Sequence, residues 1–467
     1  MKQKSIYFYL AVLGIFLGIC SPFLLTYGMF LDGTTYATVA RNMALGKGTF
    51  WMPHYTETLY PAFYEQPPLA LWIESIFFRI FGMSILVERF YSVLSIVLVG
   101  FLIVKIWKEI TAEIDTAWFP LLLFSCFPIV TWTATNNMLE NTMSVFICCS
   151  VFFYLKAIRN KKSYFTIISG LSLSLGALCK GIVAFFPWTF PFLIGLFLKK
   201  IPFRQVVIDT FILIIGTLFP LFLFYILSEN AKSFFDTYLS TQLFSSVAGL
   251  RETAGSRFLI IQKLLENSII PLVLMAGIVV AQIVKKRTTL MKEQIKNSLT
   301  FFALSLCGIL PIMLSLKQSG YYILPAYPFL AIAFALPFQA FIKELQGKIN
   351  SSSKGFSAFK IISCTLLISV FLFSFSQKGK IGRDKKELQL VFECNKYIPS
   401  NTTISVDDEM YFEWGLHAYF ARYKNISLDG SNNHLFYLHN KDLPLSQLDK
   451  EYIHLTDIEN FSLYKRK

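Results

Sequence analysis

Apolar residues fill this chain in long uninterrupted runs, and its polar positions collect in the joins between them. Uncharged stretches cover residues 6–31, 163–178, 182–198, 211–228, 268–284, 299–316 and 321–342, with shorter apolar runs near 86–104, 117–131, 138–155 and 361–375. A helix needs about 20 apolar residues to cross the hydrocarbon core, and the shorter runs reach that length by extending into their flanks. The pattern predicts about eleven transmembrane helices within residues 1–376. The first run is too long for a cleaved leader and lacks a small-residue cleavage site.

The period changes in three segments expected on the outer side. Residues 32–88 are too many for a simple connector. They hold a helical pattern over 34–45 closed by Gly46, then an amphipathic stretch over 69–81. That stretch carries Trp72, Phe77 and Phe78 beside Glu74 and Arg79, as a juxtamembrane interfacial helix would. The second segment is 229–267, with Arg251, Arg257 and Lys263. The third is the tail, 377–467, where 403–406, 435–438 and 461–464 read as short strands around a helical 409–423. The expected architecture is an all-α polytopic membrane protein with outer juxtamembrane helices and a small C-terminal α/β domain.

Composition agrees with this class. Hydrophobic residues make up 54% of the chain against 15% charged, and the mean hydropathy is +0.53. The tail is balanced at 13 basic and 13 acidic residues, so the net charge of +14 belongs to the membrane part. There the basic residues alternate between joins. Lys2 and Lys4 precede the first run, and further groups lie at Lys105 and Lys108, at 156–162, at 199–204, at Lys285, Lys286 and Arg287, and at 343–354. The positive-inside rule then predicts a cytoplasmic N-terminus and, with an odd number of crossings, a tail outside the cytoplasmic membrane. The charge is topological and gives no basic stripe for nucleic acid. Seven of the eight cysteines lie in or beside apolar runs and only Cys394 lies in the tail, so the tail cannot form an internal disulfide.

Asp32 is the residue with most chemical content. It stands where the first apolar run ends and a long polar segment begins. Such a carboxylate could cap the helix that follows or act as a base on a lipid-borne substrate. Lys180, Arg257 and Lys317 are cations expected near the outer face, against the positive-inside bias. All three could be charge partners for a phosphate, and Lys180 and Lys317 could instead be snorkelling anchors. Gly14 and Gly18 have the spacing of a close helix–helix contact.

These residues also form a recognisable series. Asp32, Tyr36, Ala37, Ala40, Arg41 and Met43, then Pro53, then Glu65-Gln66-Pro67-Pro68-Leu69 with Trp72, resemble the first outer loop of the GT-C membrane glycosyltransferases. The aminoarabinose-transferase and protein-mannosyltransferase-like group is most similar. Leu178-Cys179-Lys180-Gly181, and Lys317 followed by 321–325 and Pro328, fit the same order. The resemblance implies a transferase that takes a sugar from a polyprenyl-phosphate donor and passes it, usually with inversion, to an acceptor on the outer face. The acceptor would be lipid A, a cell-surface glycan or a protein. Asp32 would be the general base. Glu65, Gln66, Lys180, Arg257, Lys317, Tyr321 and Tyr322 would bind substrate, although Glu65 and the two tyrosines also suit structural roles.

The chain departs from the family pattern at three places. Gly33 follows Asp32 where a second acid is common, and Gln66 replaces a basic residue before the Pro-Pro pair. Residues 136–141, Asn-Asn-Met-Leu-Glu-Asn, offer Glu140 as the second acidic residue, though Glu140 could equally cap or solvate a helix end. No metal ligand set is predicted. A divalent cation held by Asp32 and Glu140 is the competing way to neutralise a leaving phosphate. Two other classes fit a multi-pass chain: a transporter or flippase of lipid-linked substrates, and a non-catalytic scaffold displaying the tail. Polar material concentrated in outer segments, without internal repeats, favours the enzyme.

Overall fold

A computed structural model describes residues 3–245, 255–285, 292–443 and 452–467. Arg251, Lys286 and Arg287 lie outside the described residues. In chain order the elements are α1 (Gln3–Cys20), α2 (Leu31–Ala44), α3 (Leu69–Phe81), α4 (Leu86–Thr111), α5 (Trp118–Ser125), α6 (Pro128–Thr135), α7 (Leu139–Asn160) and α8 (Tyr164–Lys180). They continue with α9 (Ile182–Leu198), α10 (Phe203–Leu227), α11 (Glu229–Tyr238), α12 (Leu259–Val284), α13 (Lys292–Leu314), α14 (Gly320–Lys348) and α15 (Lys354–Ser376). The C-terminal part contains α16 (Lys385–Cys394), β1 (Thr403–Val406), α17 (Asp408–Tyr411), α18 (Trp414–Lys424), β2 (Ser427–Asp429), β3 (Phe436–Asn440), β4 (Tyr452–Ile458) and β5 (Phe461–Arg466).

Seven of the helices among the described residues are long and apolar enough to cross a membrane, and an eighth span results if the bent pair α5–α6 is counted as one. Three shorter apolar helices, α1, α8 and α9, stand beside them. This is a multi-pass membrane protein.

Prolines explain where the apolar runs fail to become single helices. The run over 6–31 stops as a helix at Cys20, two residues before Pro22, whose ring disfavours helical backbone at the residue ahead of it. The run over 117–131 breaks into α5 and α6, which meet at 74° with Pro128 opening α6. In α9, Pro187 and Pro191 accompany a succession of 3₁₀, α and π turns.

The chain divides into two compact units. The first contains residues 1–22, 65–70 and 90–376. Its innermost span is α14, with 83% of its apolar window buried, whereas α10, α12 and α15 bury only 17% and turn most of their surface to lipid. Gly14 and Gly18 do mark a close contact: a Cβ at Gly14 would lie 2.7 Å from Leu366 Cδ2 on α15. Gly170 of α8 and Gly216 of α10 approach in the same way. Asp209, buried in α10, accepts hydrogen bonds from Tyr154 Oη at 3.0 Å and Gln205 Nε2 at 2.7 Å.

The second unit contains residues 23–64, 71–89 and 377–467. The tail expected to stand alone from residue 377 is therefore built together with most of the first long segment. Its sheet runs β2-β1-β3-β5-β4, parallel from β2 to β3 and antiparallel from β3 to β4. Leu388, Ile404, Phe420, Leu428, Leu438 and Leu463 are fully buried in its core. β2, β4 and α16 are additions to the sequence expectation, and the expected helix over 409–423 is split into α17 and α18. The joint with the first segment is specific. Tyr27 N–H donates to Lys380 O at 2.8 Å and Gly382 N–H to Tyr27 O at 2.9 Å. Gly28 has φ +88, and a Cβ there would fall 2.5 Å from Arg383 O, so only glycine fits.

Candidate functional site

In the first unit, α7 and α8 present opposite helix ends to each other. Glu140 lies in the first turn of α7 and Lys180 in the last turn of α8, each at the end where the helix dipole favours its charge. Lys180 Nζ is 3.4 Å from Glu140 Oε1, with the side chains 10% and 1% exposed. Glu140 is thus neither the solvated residue nor the cap considered from sequence. Met138 is the N-cap, and the carboxylate is buried against a lysine. Lys180 is likewise not a snorkelling anchor.

The turn after Lys180 is shaped by Gly181, at φ +93, where a side chain would collide with the Tyr238 hydroxyl. That hydroxyl donates to Lys180 O at 3.4 Å. Burial, and after it the charge of Glu65, raises the Tyr238 hydroxyl above its ordinary pKa. Glu65, Tyr238, Lys180 and Glu140 therefore form one neighbourhood. Nearby in sequence, Thr142 of α7 lies 2.5 Å from the Tyr91 hydroxyl, which donates to Ala70 O at 3.2 Å. Gln66 is half-buried, while Pro67 and Pro68 are buried.

A second group gathers around Lys317. Its ammonium donates to Gln242 Oε1 at 3.2 Å. Gln318, 2% exposed, accepts from Ile260 N–H at 3.0 Å and donates to Arg257 O at 3.0 Å. Arg257 enters this group through its backbone, and its side chain is exposed. Tyr321 stacks on Trp132 at 5.8 Å, and Tyr322 meets Tyr321 edge-on at 4.9 Å. Tyr238 and Gln242 are four residues apart on the continuous helical segment 229–244, so one element serves both lysines. Neither residue was anticipated. Polar residues at helical spacing inside the long segment 229–267 were the available signal.

In the second unit, Asp32 occupies the first turn of α2 and is half-exposed. The helix begins at Leu31 with Phe30 as N-cap, so Asp32 is not the cap that a helix starting at Thr34 would give it. Other residues of the same motif are structural. Arg41, buried, donates to the carbonyls of Ala421 and Arg422 at 2.9 and 2.8 Å and to Asn425 Oδ1 at 2.8 Å. Asn42 Nδ2 donates to His54 O and Tyr55 O. Glu88 takes two hydrogen bonds from Arg422 at 3.0 and 2.8 Å. Glu74 of α3 is fully buried. Among the described residues no three of His, Cys, Asp and Glu converge as metal ligands.

Over 97% of its length and 97% of theirs, the chain superimposes on ArnT from Cupriavidus metallidurans bound to undecaprenyl phosphate, with a TM-score of 0.64 at 13% identity. The apo form of that protein gives 0.65 at 12% identity. The chain shares the fold of that protein. In sequence, the family described as Dolichyl-phosphate-mannose-protein mannosyltransferase matches residues 65–228 of this chain. That match takes in Glu65, Gln66, Glu140 and Lys180 and leaves Asp32 outside it. Among curated relatives, the undecaprenyl phosphate-alpha-4-amino-4-deoxy-L-arabinose arabinosyl transferase 2 of Proteus mirabilis is 30% identical over 159 residues. An uncharacterized protein of Aquifex aeolicus is 30% identical over 150 residues. These alignments span 28% and 29% of the respective relatives' lengths and about a third of this chain.

Proposed function

We propose that this protein is an integral membrane glycosyltransferase that moves a sugar from a polyprenyl-phosphate-linked donor to an acceptor on the outer face of the cytoplasmic membrane. The observation that carries the reading is the GT-C fold, matched over 97% of the chain, holding a largely enclosed lysine paired with buried Glu140 at the end of α8, within the stretch matched to mannosyltransferases. The donor class follows from the undecaprenyl phosphate bound by the similar ArnT. The acceptor is lipid A, a surface glycan or a protein.

In the proposed reaction an acceptor hydroxyl attacks the anomeric carbon of the donor. The bond between that carbon and the phosphate oxygen breaks, and the polyprenyl phosphate leaves with the electron pair. Asp32 takes the hydroxyl proton, a task within reach of a partly exposed carboxylate. Lys180 and Lys317 stabilise the charge growing on the leaving phosphate, where low-dielectric surroundings make a fixed cation effective. Tyr321, Tyr322, Glu65 and Gln66 contact the donor head group, and Arg257 adds charge from the second long segment. In this reading side chains rather than a divalent cation meet the phosphate charge.

Comparing pools of polyprenyl-phosphate sugars with and without the gene tests the reading. One lipid-linked sugar should accumulate in the deletion strain while one glycosylated acceptor disappears. Unchanged pools together with unchanged envelope glycans would remove the proposal. A transporter would instead alter the sidedness of a donor without loss of any glycosidic product from open vesicles.

A further inference from the structure

At the end of the first unit where α1 begins lies a cavity of about 290 Å³, built from the start of α1, the α4–α5 join, the end of α14 and the start of α15. We propose that it is a site for the phosphate head group of an anionic phospholipid. The inference rests on the chain being a membrane protein and is independent of the transferase reading.

The floor is rigid and already satisfied. Ser5 Oγ donates to Asp115 Oδ1 at 2.9 Å, Gln346 Nε2 donates to Ser5 Oγ at 3.1 Å, and Trp118 Nε1 donates to Gln346 Oε1 at 3.4 Å. The rim is cationic. Three lysines, Lys4, Lys343 and Lys360, face two carboxylates, Glu113 and Asp115, leaving one positive charge. Glu113 is matched by Lys343 at 2.5 Å. Lys4 donates to Ile349 O, and Lys360 lies over two rings, Tyr7 at 5.6 Å and Phe356 at 5.1 Å. Neither Lys4 nor Lys360 has a carboxylate at ion-pair distance among the described residues. A phosphodiester carries the single negative charge this rim lacks, and basic pockets between spanning helices are a known way to hold such head groups.

Other lysines of this protein also lie over rings: Lys105 over Phe101 on its own helix, and Lys156 over Phe152 and, on α8, Phe165. What sets Lys360 apart is its convergence with Lys4 on one cavity, which neither Lys105 nor Lys156 lines. Lipid, rather than free phosphate, is indicated by the surface beside the cavity. Ile6, Ile361 and Ile362 are 41%, 63% and 61% exposed, an apolar track along α1 and α15 for acyl chains.

Native mass spectrometry and thermal unfolding of the full-length protein test this, using phosphatidylglycerol, phosphatidylcholine or inorganic phosphate as the added probe. Phosphatidylglycerol should be retained and stabilising in preference to phosphatidylcholine. Lys4→Gln with Lys360→Gln should weaken that retention roughly tenfold or more. Lys4→Arg with Lys360→Arg should keep it, and Lys105→Gln with Lys156→Gln should leave it unchanged. Equal retention of the two lipids by the unaltered protein would overturn the proposal even if the glutamine variant failed to fold. So would a glutamine variant that binds phosphatidylglycerol normally. Stabilisation by inorganic phosphate equal to that by the lipid would sink the lipid assignment.

Discussion

Lys180 and Glu140 are held 3.4 Å apart where the last turn of α8 meets the first turn of α7, with Glu140 buried and the Lys180 side chain 10% exposed. The pair ties the mannosyltransferase-matched stretch together and sets how its lysine can be tested. Lys180→Ala should destabilise the protein by roughly 3–5 kcal/mol, because it removes the ammonium that faces the buried Glu140 carboxylate at 3.4 Å. Glu140→Gln combined with Lys180→Met should recover most of that stability, measured by thermal unfolding. If Lys180 serves the donor phosphate, the double variant should still lack donor binding. Recovery of both stability and activity would mean that the pair is structural only.

Asp32→Asn should abolish sugar transfer while changing stability little. The residue sits in the first turn of α2 without capping it, and Asn keeps the size and hydrogen-bonding oxygen of the side chain while giving up the charge's helix-dipole interaction, about 0.3–1 kcal/mol. Transfer in membrane vesicles, compared at equal protein level, is the measurement. An active variant removes Asp32 from the reaction.

Lys317→Ala should weaken donor binding and lower turnover, because it removes the ammonium that donates to Gln242 Oε1 at 3.2 Å and is proposed to meet the donor phosphate. Chelator should leave the activity intact if lysines meet the phosphate charge. Loss of activity in chelator, with rescue by Mg²⁺ or Mn²⁺, would transfer that role to a cation.

Acid should loosen the small α/β unit through His417. This side chain is 1% exposed, its Nε2 contacts Tyr411 O at 2.7 Å, and its Nδ1 is buried without a partner. Burial lowers the His417 pKa below its ordinary value of 6.5, and the Tyr411 contact only partly opposes this. Above that value the ring is neutral folded or unfolded. As pH falls below it, the unfolded chain takes up a proton first, so stability declines down to the folded pKa. Asp429 acts in the same direction at lower pH. Burial alone would raise its carboxyl, but hydrogen bonds from Ser431 and His434 outweigh burial and hold it down. Hydrogen exchange over 411–424 should accelerate between about pH 7 and about pH 5.5 after correction for intrinsic rates. A His417→Leu variant should flatten that dependence.

A reporter fused after Lys467 should be active only outside the cytoplasm, and one fused ahead of α1 only inside. The expectation comes from the alternation of basic joins. Cytoplasmic activity of the C-terminal fusion would invert the topology and with it the side on which transfer takes place.

Much of the architecture was legible because hydropathy is a local sum. The apolar runs announced the spans, α3 has the bounds its amphipathic pattern predicted, β1 matches the alternation over 403–406, and Gly46 ends α2 where a glycine should. Proline made the departures local as well: Pro22 and Pro128 cut runs that hydropathy alone would join, and both were visible in the chain. The partners were not visible. Nothing in the composition of 136–141 says that Glu140 will be buried, since that depends on the end of α8 arriving beside it with Lys180. Nor does the pattern of 23–64 reveal that Arg41 will bind carbonyls near residue 421, some 380 positions later. A side chain's type and its neighbours in sequence set which helix or strand it enters. Whether its charge is solvated, paired or buried is decided by long-range packing, which brings together groups whose separation along the chain carries no signal.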